Sequence, residues 1–134
     1  MKAEFLVVKI DEQNYGIDVK QIEQIFSADT KVKREENSDF ILGIVNGNTK
    51  VVSLRKIFGI EETEQYKMIQ IRSEQNFCLT VDKIEGIIAV EEEQLISLLN
   101  KTWIDSIFCS GFQDEQNIVL NINSLEIEKI LGSA

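Results

Sequence analysis

The sequence predicts an all-β fold with short helices. Three observations carry that prediction: many short β-branched segments, polar turns of recognisable chemistry between them, and helical pieces only a turn or two long. Strand-like stretches cover Phe5 to Ile10, Asn14 to Ile17, Ile44 to Asn46, Thr49 to Ser53, Lys67 to Arg72, Phe77 to Val81, Gly86 to Val90, Ile107 to Gln113 and Ile118 to Ile122. Polar turns such as Asp11-Glu12-Gln13, Ser73-Glu74-Gln75-Asn76 and Asp114-Glu115-Gln116-Asn117 join several of them. Strands this short at this spacing fit small barrels or a sandwich. Phe77, Leu79 and Val81 alternate with Cys78, Thr80 and Asp82, the period of a strand with one buried face.

The stretch from Asp39 to Ile60, DFILGIVNGNTKVVSLRKIFGI, is the densest in local signals. Ile44 and Val45 run into Asn46-Gly47-Asn48, which tolerates the positive φ of a tight hairpin, and Val51 and Val52 return. Ser53 then caps the short turn Leu54 to Phe58, and Gly59 closes it at C′. Gly43 and Gly59 are therefore expected to be structural.

Three helical pieces interrupt the strands. In the first, Asp18 caps a turn with Gln21 at N3, Ile17 and Ile22 occupy staple positions, and Ile22, Ile25 and Phe26 share a face. Leu54 to Phe58 is the second. The third runs from Ser124 to Leu131, with Asn123 as cap, Glu126 at N3, Ile122 and Ile127 as staple, and Gly132 as the stop. Glu91 to Leu99 also has helical propensity, with acids in its first turn.

A weak internal echo links Ile17, Val19 and Ile22 with Val81, Ile84 and Ile87, each set following a strand hairpin. VVSLRKI and VLNINSL likewise each end a strand at a helix cap. Two similar half-structures would produce that echo.

Composition narrows the function. The 134 residues make one domain long enough to keep a core without staples. Cys78 and Cys109 lie far apart in apolar segments and read as ordinary buried thiols. With no histidine and no CxxC spacing, no metal or cofactor is expected. The net charge of −9 argues against nucleic acid and anionic lipid, and the basic cluster Lys31, Lys33, Arg34 is followed at once by Glu35 and Glu36. No apolar run approaches the length of a membrane span, and the start MKAEFLVV has an early acid and no cleavage site, so a cytoplasmic protein is expected. Asp105, Ser106 and Cys109 lack an activating base, and neither a glycine elbow nor a phosphate loop is present. No catalytic residue is expected, and Asp82, Glu85 and Glu91 to Glu93 read as solvated surface charges.

Four segments together resemble the CheW family of bacterial chemotaxis coupling proteins. FLVVKIDEQNYGIDVKQIEQIF (Phe5 to Phe26) is similar to the family's N-terminal hairpin and Val-x-Glu-Ile turn, and DFILGIVN (Asp39 to Asn46) to its central glycine motif. VDKIEGII (Val81 to Ile88) resembles the Val-Asp-x-Val strand of the second half, and SGFQDEQNIVLNINSL (Ser110 to Leu125) the final hairpin and helix entry. The resemblance implies two similar five-stranded SH3-like β-barrels sharing a hydrophobic seam. They would form one domain over 1–134, the first barrel at about 14–62 and the second at about 66–125, with the N-terminal strand and C-terminal helix packing across.

It also implies a non-catalytic adaptor that couples the regulatory domain of a chemotaxis histidine kinase to the cytoplasmic tip of chemoreceptors. A related module serving another signalling kinase is the alternative, and a small ligand-binding or nucleic-acid-binding barrel is the alternative of another class. An exposed strand edge and hairpin would meet the kinase, and a groove would take a receptor helix. Gly47, Asn48 and Thr49, following Asn46, are the candidates for the first contact; Ile22, Gln24, Ile25 and Ile84 are those for the second. For Ile22 and Ile25 the simpler role is core packing, and for Asn46 to Thr49 it is a plain tight turn.

The chain departs from the family where charge is concerned. About three hairpin residues, including the arginine of the family's coupling surface, are missing after Asn46. The helical-turn glutamate falls on Gln24, the strand-end aspartates on Ser53 and Asn121, and expected prolines on Lys33, Ser38 and Lys50. The chain has no proline at all.

Overall fold

The computed structural model describes residues 2–27, 32–34, 40–63, 65–97, 108–115 and 117–132. In chain order the strands begin with β1 (Lys2–Ile10), β2 (Gln13–Asp18), β3 (Ile22–Ile25), β4 (Lys33–Arg34), β5 (Ile41–Val45) and β6 (Thr49–Ser53), after which comes helix α1 (Leu54–Ile57). Then follow β7 (Lys67–Ile71), β8 (Phe77–Val81), β9 (Lys83–Glu91), β10 (Ile96–Ser97), β11 (Phe108–Asp114), β12 (Asn117–Ile122) and helix α2 (Ser124–Gly132). The chain divides into two units: one is Met1–Gln21 with Ile84–Ala134, the other is the contiguous Ile22–Lys83.

Each unit holds one sheet of five strands of four to nine residues, to which a two-residue strand, β4 or β10, adds at one end. The contiguous unit has the order β3-β7-β8-β6-β5-β4, and the split unit β10-β11-β12-β2-β1-β9. Read from their two-residue ends, the orders correspond strand by strand. A hairpin (β5–β6 or β11–β12) leads into a helix, and the second hairpin strand pairs in parallel with β8 or β2. They differ in connectivity, since the split unit takes its last hairpin, β1–β2, from the start of the chain. This shared topology accounts for the echo between residues 17–22 and 81–87.

The expected barrel boundaries of 14–62 and 66–125 therefore need correction. The β7–β8 hairpin does not open a second barrel. It closes the first sheet, with β8 parallel to β6 over Lys50↔Phe77 to Ser53↔Thr80, while β2 pairs with β12 in the other unit. β8 is also buried along its whole length, Cys78 and Thr80 included, as befits a strand flanked on both edges by β6 and β7. Burial pushes the Cys78 thiol up to about 12.

The first expected helix is largely a strand. Asp18 does cap a single 3₁₀ turn, Val19–Gln21, its Oδ1 accepting from the Lys20 N–H at 2.9 Å. Ile22–Ile25 then runs antiparallel to β7, with a bulge between Ile22 and Gln24, and the Phe26 N–H continues the ladder to the Met68 carbonyl at 3.0 Å. An isolated helix this short is marginal, whereas the edge of β7 offers backbone partners and suits β-branched residues. Likewise Glu91 ends β9, Glu92–Gln94 is one 3₁₀ turn, and Ile96–Ser97 pairs with β11, so no helix covers this stretch up to Ser97; residues 98 and 99 lie outside the described residues. There the β11 edge captures the segment after one turn.

The other two helices form where expected, although α2 runs through Gly132, which was expected to stop it. The Ser53 Oγ accepts from the Lys56 N–H at 3.1 Å to cap α1. The Gly59 N–H reaches the Lys56 carbonyl at 3.1 Å and the Ile60 N–H the Arg55 carbonyl at 2.7 Å, the paired bonds of a Schellman stop. Gly59 has φ +76°. Gly59→Val should therefore cost about 1 kcal/mol or more, because a β-branched residue is strained there, and the urea midpoint measures it. In α2 the Glu126 N–H reaches the Asn123 carbonyl at 3.1 Å, and Ile122 and Ile127 are both buried.

Each unit has a core of its own. Phe26, Leu42, Val45, Val51, Met68 and Cys78 cluster in the contiguous unit, with Val32 and Tyr66 against them. In the split unit Phe5, Val7, Val90, Phe112 and Val119 cluster, and the Phe5 and Phe112 rings lie 5.4 Å apart.

Candidate partner-binding surface

The β5–β6 hairpin positions the first group of candidates. Asn46 has φ +54° and Gly47 φ +84°, the signs that both central residues of a type I′ turn require. Asn46, Gly47 and Asn48 are exposed, so the turn presents backbone and amide groups to solvent. Thr49 is only 3% exposed and offers no side-chain surface.

Edge strand β3 positions the second group. Ile22 is half-buried, Gln24 exposed and Ile25 48% exposed, high for a large apolar side chain. Glu23 pairs with Arg72 at 3.6 Å, and the Arg72 Nε donates to the Ile22 carbonyl at 3.2 Å, so the strand is pinned from one flank. Ile84 is half-buried in β9 and belongs to the split unit.

A row of amides ties the turn to the edge strand. Gln24 Nε2 donates to Gln70 Oε1 at 2.6 Å, Gln70 Nε2 to Asn76 Oδ1 at 3.2 Å, and Asn76 Nδ2 reaches the Asn48 carbonyl at 3.5 Å. The Lys50 N–H also bonds to the Asn76 carbonyl at 3.0 Å. Gln24 and the 46–48 turn thus belong to one hydrogen-bonded row of the contiguous unit, while Ile25, the next residue of β3, is exposed on its own. Where the family resemblance puts a charged glutamate, this chain has a neutral amide that bonds to its neighbours.

Behind α1 lies a charged pair that the sequence reading missed. Arg55 Nε donates to Asp82 Oδ1 at 2.9 Å and Nη2 to Oδ2 at 2.6 Å, a bidentate bridge, and Nη1 donates to the Glu61 carbonyl at 2.8 Å. Both side chains are largely buried, at 11% and 18% exposure. Asp82 is therefore no solvated surface charge: it follows the buried β8, and the guanidinium holds it where solvent cannot. Ser53 Oγ also donates to the Glu62 carboxylate, whose Oε1 accepts from the Thr63 N–H at 3.1 Å. The segment 61–63 is thus tied down by Ser53 and Arg55 together. The only advance signal was the proximity of Arg55 to a strand end.

The arrangement offers amides, an apolar edge residue and a structural ion pair, and it suits recognition of a polypeptide. No group of three or more metal-ligating side chains occurs among the described residues, and no described helix is long and apolar enough to cross a membrane. Asp105 and Ser106 lie outside the described residues, as does the Cys109 side chain.

The family model described as the CheW-like domain matches residues 4–132. The chain belongs to the CheW-like domain family. That places it among the coupling adaptors of chemotaxis signalling. Among solved structures, the scaffolding protein TtCheW from Thermoanaerobacter tengcongensis is similar, with a TM-score of 0.79 and 23% identity over 92% of this chain and 90% of that one. That likeness shows the fold, and the two small sheets are the two barrels of a CheW-like domain. None of the curated proteins matches the sequence.

Proposed function

We propose that this CheW-like protein is a non-catalytic scaffold that binds the regulatory domain of a chemotaxis histidine kinase and the cytoplasmic tip of chemoreceptors. It would act in the cytoplasm at receptor arrays. The observation that carries the reading is the family match over 4–132, which takes in the strands of both units. The exposed 46–48 turn, with Thr49 supporting it from within, is the contact we assign to the kinase, and Gln24 and Ile25 with the half-buried Ile22 and Ile84 are those we assign to the receptor. The interface would bury on the order of 1,000 Å² or a little more, the size of a reversible contact.

The test is reconstitution of kinase, receptor cytoplasmic fragment and this protein. Receptor-dependent stimulation of autophosphorylation should require its addition. If stimulation is the same without it, the reading fails.

The short hairpin supplies a further prediction. If the family's arginine-bearing loop makes a charge-assisted contact of about 1.5 to 3 kcal/mol, this chain should bind about tenfold to a hundredfold more weakly than a protein that has the loop. Inserting Leu-Arg-Gly after Asn46 should raise affinity for a kinase fragment, and the gain should shrink at high salt. A folded graft that binds no better would show that the turn makes no such contact.

A further inference from the structure

The charge of the chain is unevenly divided. The split unit carries 13 acidic against 5 basic residues, net −8, while the contiguous unit carries 10 against 9 and is nearly neutral. In the split unit a cleft of about 360 Å³ opens between β9 and the tip of the β11–β12 hairpin, within the size range of ligand sites. Val7, Ile87 and Ile88 give it apolar walls, and Lys9, Glu85 and Asp114 line it with charge.

Its lining singles out a cationic occupant with an apolar stem. Lys9 already faces Glu85, at 3.8 Å, so the one base is engaged, and Asp114 makes no ion pair among the described residues. The charge left over is that of Asp114, in a unit whose net charge is −8. Ile87, 60% exposed, and the half-buried Ile88 offer a methylene stem the burial that a small anion or a polar amide would not use. Gly86 has φ +139° between Glu85 and Ile87, so its backbone borders the cleft with no side chain in the way.

We propose that this cleft docks one arginine side chain of a partner polypeptide, with its stem against the exposed Ile87 and its guanidinium directed to the Asp114 carboxylate, beside the Lys9–Glu85 pair. A planar fork offers that carboxylate two parallel N–H donors, which an ammonium does not. The proposal does not rest on the surface assigned to the kinase or receptor above, and it stands whether or not that assignment holds.

The test is a nitrogen–proton NMR titration of the full chain with acetyl-Leu-Arg-Leu-amide, and with the same peptide carrying citrulline, a neutral isostere, in place of arginine. The arginine peptide should move the amide signals of Asn14, Asp114 and residues 85–88, and the citrulline peptide should bind at least about tenfold more weakly. Asp114→Asn and, as a second variant at an exposed side chain, Glu85→Gln should each weaken the arginine peptide severalfold while leaving the rest of the spectrum in place. Equal binding of both peptides would make the cleft an apolar dock and overturn the assignment. So would the absence of shifts at these amides at millimolar peptide.

Discussion

Replacing Arg55 with alanine should lower the stability of the protein by about 3 kcal/mol, because it leaves the Asp82 carboxylate buried without its cation. Two of its hydrogen bonds go to that carboxylate and one to the Glu61 carbonyl, so the change also frees the segment that Ser53 and Arg55 hold at 61–63. The stranded charge is what makes the loss large. A double substitution, Arg55→Met with Asp82→Leu, should recover most of it, since removing both ions together avoids an uncompensated charge. Urea midpoints of Arg55→Met, Asp82→Leu and the double variant measure the coupling. Additive losses would mean that the bridge is not a unit.

Gly16→Ala should be the other severe change, costing about 2 kcal/mol as an overpacking defect. An added Cβ would overlap the Asn121 Oδ1 and press on Val119 Cγ1 at 3.4 Å. Asn121 is 1% exposed, and its Nδ2 donates to Ser110 Oγ at 2.8 Å, so it cannot swing away without breaking that bond. Gly16 sits directly opposite Asn121 in the parallel β12–β2 pair. The defect would therefore strike the join where the N-terminal hairpin completes its unit. Combined with Asn121→Ala the penalty should be less than additive, and thermal midpoints of the three variants decide it. A wild-type midpoint for Gly16→Ala would contradict the close packing of these strands.

What could be read in the sequence was what local backbone chemistry decides. Asn46-Gly47 demands positive φ, Ser53 and Gly59 bracket one helical turn, and both show up as expected because each depends on residues no more than a few positions apart. β3 was misread because Ile22, Ile25 and Phe26 fit a helical period; its true partner, β7, lies over forty residues away, and the bulge between Ile22 and Gln24 disturbs the alternation that marks a strand. The two-residue strands β4 and β10 are too short to have a pattern.

The division into units was hidden for a related reason. It rests on β8 pairing with β6 and on β2 pairing with β12, and nothing local to either hairpin specifies its neighbour. On the candidate surface, Asn46, Gly47 and Asn48 were legible as a turn. The amide row through Gln70 and Asn76 was not, since Gln24 and Gln70 meet only after β3 has joined β7. Asp82 looked like any surface acid because its cation lies 27 residues earlier.

The most direct measurement of the adaptor assignment is isothermal titration of this protein against the isolated regulatory domain of a chemotaxis histidine kinase. The account predicts saturable one-to-one binding, weakened when Asn48 is replaced by Asp on the exposed 46–48 turn while the circular dichroism spectrum is unchanged. The absence of heat at high micromolar concentrations of both proteins would contradict it.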